Sequence, residues 1–395
     1  MGLFSRLHQL RRRFTRRSRP STTRTAPSPL TGRICRFEQM ESRQYLSASP
    51  IQIGAVYYED ATQDDRLGDT IEITWSGGAP GTQLTSLIIN TDKDGNGLSI
   101  GDCLFDTAPG GLGAFGSQPL VLVSQTGIDK VEYTVSDGGT RLEFKFTGFD
   151  AGERLIFTID VDEMGFLGPN AVAEGNEWEG TILTAAFTAD HYADASGSDI
   201  FLDFYDAKLN ASGLALPPDD YVPPGVNPAP VFTAGAVFSL QQTPLPITLS
   251  GTVFEDMNGN NVQEAGDPGI AGVSLSLYTL QGGKYVATGL TTVTDANGHY
   301  RFDDLEPGTY RVAETQPSGY LSIGARAGTV DGQTRGVVTD SDTLSGAVLE
   351  GGDDSVRNDF AEARPASISG HVYADDNLNG IRDDGEALLA GVTLT

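Results

Sequence analysis

Asp256, Asn258 and Asn260, followed by Glu264 and Asp267, set oxygen-bearing side chains at positions 1, 3, 5, 9 and 12 of one short stretch. That spacing suits a hard cation. Side-chain oxygens at positions 1, 3 and 5 converge on a point, the backbone carbonyl of position 7 (Val262) adds a donor, and position 12 closes the shell, as in loops that wrap calcium. The arrangement recurs as Asp375, Asn377, Asn379, Ile381, Asp383 and Glu386, at a constant offset of 119 with no gap from Gly251/Gly370 through Leu275/Leu394. Position 6 needs left-handed backbone, met by Gly380 and less comfortably by Asn261. Two of the three inner donors in each copy are neutral amides, so the expected dissociation constant is on the order of 10⁻⁴ to 10⁻³ M. With calcium tenfold above such a value, each ion adds about 1.4 kcal/mol of stability, which makes it a stiffener and not a signal. The competing reading of one such stretch is a solvated Asx-rich turn between strands.

A third run, Asp92, Asp94, Asn96 and Asp102, has the right residues at positions 1, 3 and 5 and Gly97 at position 6, but its closing acid falls at position 11. Calcium and a plain Asp/Gly hairpin turn both remain open there. Other chemical signals lack context. Gly111, Gly113 and Gly116 satisfy G-x-G-x-x-G with no strand before and no helix after, so no dinucleotide site is expected. His8, His191, His299 and His371 are scattered, and the paired carboxylates read as solvated, so no catalytic residue is assigned and the chain is expected not to be an enzyme. Cys35 and Cys103 exclude a disulfide framework and a thiolate zinc site.

The elements that must carry these loops are strands. The chain holds 49 Gly and 20 Pro, with Val, Thr, Phe and Tyr in short alternating runs, and no window sustains a helical apolar stripe. Residues 1–50 are expected to be a basic, disordered leader or export segment: eleven Arg stand in residues 1–45 against Glu38 and Glu41, which leaves 15 basic and 51 acidic residues for the rest. Such a body repels nucleic acid and attracts divalent cations. No apolar run is long enough for a membrane helix. Residues 51–216 read as one β-sandwich, with strands at Ile71–Trp75, Leu84–Asn90, Leu120–Val123, Val131–Val135, Leu142–Phe146, Leu155–Val161, Thr181–Phe187 and Ile200–Phe204. A Pro-rich linker spans 217–246, with Val231–Ser239 as a candidate last strand of the preceding domain. Residues 247–363 form a second sandwich, with strands at Ile247–Phe254, Val273–Tyr278, Tyr285–Thr292, Tyr300–Phe302, Gly308–Glu314 and Val356–Ala361. The turn Thr294–Gly298 lets the strands on either side pair. Residues 364–395 begin a further repeat that stops inside an expected strand, Val392–Thr395. That piece is expected to be disordered or aggregation-prone, with the natural product continuing.

Two resemblances bear on function. Ser250–Asn258, Asp295–Val312 and Arg357–Phe360 together resemble the B-type domain of serine-aspartate repeat surface proteins (SdrD B-like), within the wider Cna-B and prealbumin-like group. The likeness covers the whole first repeat and the opening of the second. Cys35–Ala48 resembles a Phe-Glu-x-Leu-Glu-x-Arg segment near the start of exported planctomycete surface proteins, with Met40 and Tyr45 as departures. These resemblances imply an all-β chain of tandem sandwich modules, Ig-like or prealbumin-like, that bind calcium outside the cell as a stalk or adhesin. Some Cna-B relatives carry a Lys–Asn isopeptide bond. None is expected here, since strand Ile247–Phe254 has no Lys and Lys284 sits by a Gly-Gly turn. Implied partners are calcium ions and extracellular matrix, polysaccharide or other surface proteins. The alternatives are a carbohydrate- or matrix-binding module using Trp75, Trp178, Tyr192 or Tyr221, and accessory domains of a larger secreted enzyme.

Overall fold

A computed structural model describes residues 48–59, 68–113, 116–165, 172–174, 178–203 and 231–395, all within the unit Ser42–Thr395. Residues 1–47 of the expected leader and 217–230 of the Pro-rich linker, Tyr221 among them, lie outside the described residues, whereas Ser49 and Pro50, expected in the leader, open the first strand. Every element among the described residues is a strand, and no helix is long and apolar enough to cross a membrane.

The first sandwich packs a six-stranded sheet on a five-stranded one. Its strands in chain order are β1 (Ser49–Glu59), β2 (Asp69–Gly78), β3 (Gln83–Asn90), β4 (Cys103–Phe105), β5 (Val121–Thr126), β6 (Lys130–Val135), β7 (Arg141–Thr147), β8 (Arg154–Ile159), β9 (Val161–Met164), β10 (Val172–Glu174), β11 (Ile182–Thr188), β12 (Ala195–Ile200), β13 (Leu202–Asp203) and β14 (Val231–Leu240). One sheet runs β13-β14-β1-β2-β8-β5, the other β12-β11-β3-β7-β6, and β10-β9-β4 form a small third. Alternation makes the faces: Leu142, Phe144 and Phe146 of β7 and Leu183, Ala185 and Phe187 of β11 point inward, their neighbours outward. Each such Leu or Phe contributes roughly 1.5–3 kcal/mol of burial.

Three expectations change here. Candidate strand Val231–Ser239 is β14, antiparallel to β1 from Ile51↔Leu240 to Glu59↔Val231, so the first sandwich ends at Leu240 and not at Leu216. The expected strand Leu155–Val161 is two strands in two sheets, broken at Asp160, whose N–H turns to the Gln118 carbonyl. Trp75 and Trp178, the exposed ligand platforms of the alternative glycan-binding reading, are each only 1 % exposed. Trp178 stacks on Tyr57 at 4.4 Å and meets Phe201 edge-on at 5.1 Å, while Trp75 meets Phe187 at 5.1 Å. They are core because apolar walls from both sheets close over them, which no local spacing announces.

The second sandwich, Ile247–Ala363, consists of β15 (Ile247–Glu255), β16 (Ser274–Gln281), β17 (Lys284–Val293), β18 (His299–Leu305), β19 (Gly308–Glu314), β20 (Leu321–Arg326), β21 (Thr329–Val330), β22 (Gln333–Thr334), β23 (Val337–Asp340), β24 (Thr343–Leu349), β25 (Asp354–Ser355) and β26 (Asp359–Ala363). One sheet is β18-β15-β26-β20 with β25 also on β15, the facing one β17-β16-β19-β24-β23, and β21 and β22 form a hairpin. Leu249, Leu275, Leu277, Val312, Leu349 and Phe360 fill the space between. The Thr294–Gly298 turn does not make a hairpin: β17 pairs β16 and β18 pairs β15, so this turn carries the chain from one sheet to the other. Gly298 (φ 78) is forced there, since a Cβ would lie 2.3 Å from the Val253 carbonyl oxygen.

The sandwiches meet end to end at His191. Its Nδ1 lies 2.8 Å from the Gly351 carbonyl oxygen and its Nε2 3.2 Å from Glu350, and its own carbonyl accepts the Leu245 N–H. Residues 364–395 contain an isolated bridge, Tyr373↔Leu388, and no strand.

Candidate metal centre

The first and third runs of donors sit just past the ends of β15 and β3, where the chain must turn, and the second lies in residues 364–395, which hold only the Tyr373↔Leu388 bridge. In the first, the β15 ladder hands over at Asp256, whose N–H donates to the Glu362 carbonyl on β26 at 2.9 Å. The loop then folds back around the Asp256 carboxylate: Oδ1 accepts the N–H groups of Asn258 (3.1 Å) and Gly259 (2.7 Å), and Oδ2 accepts that of Asn261 (2.6 Å). The closing carboxylate bridges the two halves, with Asp267 Oδ1 accepting Met257 N–H and Oδ2 accepting Glu264 N–H. Burial alone would raise the Asp256 carboxyl. The N–H groups of Asn261, Gly259, Asn258 and Asn260 outweigh it and hold it below the usual carboxylate range.

The second loop repeats this. Asp375 accepts the N–H groups of Asn379 and Gly380, Glu386 accepts those of Asp376 and Asp383, and Asn377 and Asn379 both donate to Asp383 Oδ2 at 2.7 Å. The N–H of Gly380 foremost, with those of Asn379, Leu378 and Asn377, keeps the Asp375 carboxyl low against a smaller opposing effect of burial.

The run from Asp92 to Asp102 builds the same cage with one residue fewer. Asp92 accepts Gly95 and Gly97 N–H, and Asp102 accepts Lys93 N–H at position 2 and Ser99 N–H at position 8. The backbone confirms the kinship. Positions 4 and 6 are left-handed in all three loops (Gly259 and Asn261, Leu378 and Gly380, Gly95 and Gly97), and so is the glycine just before the closing acid (Gly266, Gly385, Gly101). Asp92, Asp94 and Asp102 also bring one oxygen each within 4.8 Å of one another. The acids of the other two loops do not gather so closely, their inner positions being amides.

These donors fit a hard divalent cation. All are oxygens, and Asn258 Oδ1, Asn260 Oδ1, Asn377 Oδ1 and Asn379 Oδ1 each accept one loop N–H, from Asn260, Val262, Asn379 and Ile381. A carbonyl oxygen has two lone pairs, so one remains for an ion. Asp256, Glu386 and Asp102 are buried while their loop partners are largely exposed, so each cage is rooted in its scaffold and open to solvent on the other side.

Elsewhere, Cys103 is buried, and burial pushes its thiol up to about 12, so it is an inert core residue. Two further acidic groups escaped sequence reading, Asp106 with Asp160 and Asp162, and Glu314 with Asp342 and Glu362. Each group joins segments distant in the chain, Asp106 with the Asp160–Asp162 stretch in one and three separate segments in the other, and only the strand topology assembles them.

Comparison with known proteins bears mainly on the second sandwich. Residues 247–360 match the SdrD B-like domain family. The chain is similar to serine-aspartate repeat-containing protein F of Staphylococcus epidermidis, 35% identical over 153 residues, covering 37% of this chain and 8% of that protein. It is also similar to serine-aspartate repeat-containing protein D of Staphylococcus aureus strain Newman, 31% identical over 147 residues, covering 37% of this chain and 10% of that protein. It therefore spans about a tenth or less of those relatives' lengths. The crystal structure of BcpA, the major pilin subunit of Bacillus cereus, aligns over 80% of this chain and 71% of its own at 12% identity and a TM-score of 0.20, too low to carry an argument.

Proposed function

We propose that this chain is a non-enzymatic, exported, modular protein in which calcium held by surface loops stiffens β-sandwich modules that serve as a stalk or adhesive unit outside the cell. The observation that carries this reading is the threefold recurrence of one cage: a position-1 carboxylate ringed by loop N–H groups and a closing carboxylate tying position 2 to the far arm. Asp256, Asn258, Asn260, the Val262 carbonyl, Glu264 and Asp267 would hold the ion in the first, with Asp375, Asn377, Asn379, Ile381, Asp383 and Glu386 equivalent in the second, and Asp92, Asp94, Asn96 and Asp102 in the third. Bound calcium would supply a fixed positive centre in place of loop water, and would stiffen the end of β15 from which the first loop springs. The match of residues 247–360 to the SdrD B-like domain and the acidic body of the chain favour the same reading. A glycan-binding role for the first sandwich loses its two tryptophans to the core.

Thermal unfolding of the full chain, first in chelator and then at rising calcium, tests the proposal. A rise in melting temperature that saturates at millimolar calcium is expected, and unchanged melting would remove the metal from the account.

A further inference from the structure

At one end of the second sandwich three acids from three segments converge. Glu314 ends β19 and Asp342 occupies the β23–β24 turn, the two joined by the Glu314 N–H to Asp342 carbonyl bond at 2.9 Å, while Glu362 comes from β26 in the facing sheet. One carboxylate oxygen from each lies within 4.8 Å of the others. Two ligands on opposite sides of a calcium ion, each about 2.4 Å from it, stand about that far apart.

A cluster of acids alone would say little, but Glu314 and Glu362 are buried side chains, and four of the six carboxylate oxygens are buried without a partner. Glu314 is 9 % exposed and Glu362 0 %. Among the described residues neither Glu314 oxygen accepts a hydrogen bond, nor do Asp342 Oδ1 and Glu362 Oε1. Glu362 Oε2 alone is served, by Gln316 Nε2 at 2.5 Å and by Ser322, whose hydroxyl also donates to Gln316. The charges that Glu314 feels are those of Glu362 and Asp342, both of the wrong sign. The nearby cation Arg364 is spent on Glu255, 3.0 Å away. Four buried carboxylate oxygens without donors are unfavourable unless something positive joins them.

We propose that Glu314, Asp342 and Glu362 form a second kind of cation site in this module, a carboxylate clasp for calcium that pins the two sheets of the sandwich together. It differs from the loops in kind: its ligands are all charged, and they come from both sheets instead of one turn. The clasp does not rest on the loop reading, although the two sites are neighbours through the Asp256 N–H to Glu362 carbonyl bond.

Calorimetric titration of the chelator-stripped full chain with calcium at pH 7 tests the clasp. Glu314→Gln keeps the size and shape of the side chain and is expected to lose one calcium equivalent. Asp342→Asn, on a turn, is expected to weaken the same equivalent at least tenfold. Asp256→Asn should remove a different equivalent, so that the double variant with Glu314→Gln loses two, and if Asp256→Asn changes nothing it is the loop reading that fails. Wild-type stoichiometry in Glu314→Gln would overturn the clasp. Should that variant not fold, unchanged calcium binding by Asp342→Asn would do the same.

Discussion

Replacing Asp256 by Ala removes the post around which the first loop is wound. The carboxylate accepts three N–H groups at 3.1, 2.7 and 2.6 Å and is itself buried. A hydrogen bond to a charged acceptor contributes about 1.5–3 kcal/mol, but these donors stand on an open loop and recover water, which brings the loss to about 2–3 kcal/mol in all. For a module of this size each kcal/mol moves the midpoint by about 3–6 °C, so in chelator the second sandwich of the variant should melt roughly 6–18 °C lower. Calcium should then separate the two proteins further. At about ten times the dissociation constant the intact loop gains about 1.4 kcal/mol, and the variant forfeits that share. Scanning calorimetry in chelator and in millimolar calcium reads both effects. The reasoning is refuted if the variant retains the whole calcium-dependent rise, because an ion that ignores Asp256 does not sit in this loop.

Asn261→Gly should raise the melting temperature by a few degrees, since Asn261 holds φ 58 and its buried Oδ1 lacks a partner, together costing about 1 kcal/mol; a lower midpoint in thermal unfolding would contradict this. Trp178→Ala should cost the first sandwich about 3–5 kcal/mol, read by denaturant titration, and a near-neutral result would return Trp178 to the surface. The raised Glu314 carboxyl fixes a pH trend. The native chain keeps this proton up to about 9 while the unfolded chain sheds it near 4.5, so in chelator stability falls as pH rises between those values. Glu314→Gln should flatten the trend in melting curves taken across that range. Asp256 has the opposite sense: its stabilisation holds above the ordinary carboxylate range and is lost as pH falls through its depressed value, so acid titration of melting in calcium should show the loop failing at the low end.

The loops were legible because their information is local. Donors at positions 1, 3 and 5 with a closing acid specify a turn, and even the demand at position 6 appears in Asn261, Gly380 and Gly97. Most strands were legible by alternation. β1 was not: Ile51, Ile53, Gly54, Ala55, Val56, Tyr57 and Tyr58 are all buried, so the central strand of the six-stranded sheet shows no polar rhythm. Nor could spacing reveal that Thr294–Gly298 leaps between sheets, that both tryptophans are core, or that Glu314, Asp342 and Glu362 meet. Those facts belong to strand order, which depends on contacts between distant segments.

Strand order also governs how the second module bears load. Its first and last strands, β15 and β26, lie side by side and parallel, Val253 opposite Phe360 and Glu255 opposite Glu362. Parallel neighbours at the two ends of a module send the chain in at one pole and out at the other. Traction along the polypeptide therefore makes β15 and β26 slide against each other, straining every rung between them at once, whereas an antiparallel pair would peel one rung at a time. The Asp256-to-Glu362 bond adds a rung at the rim, directly beneath the first loop, so whatever tightens that loop should also raise the force at which the strands slip.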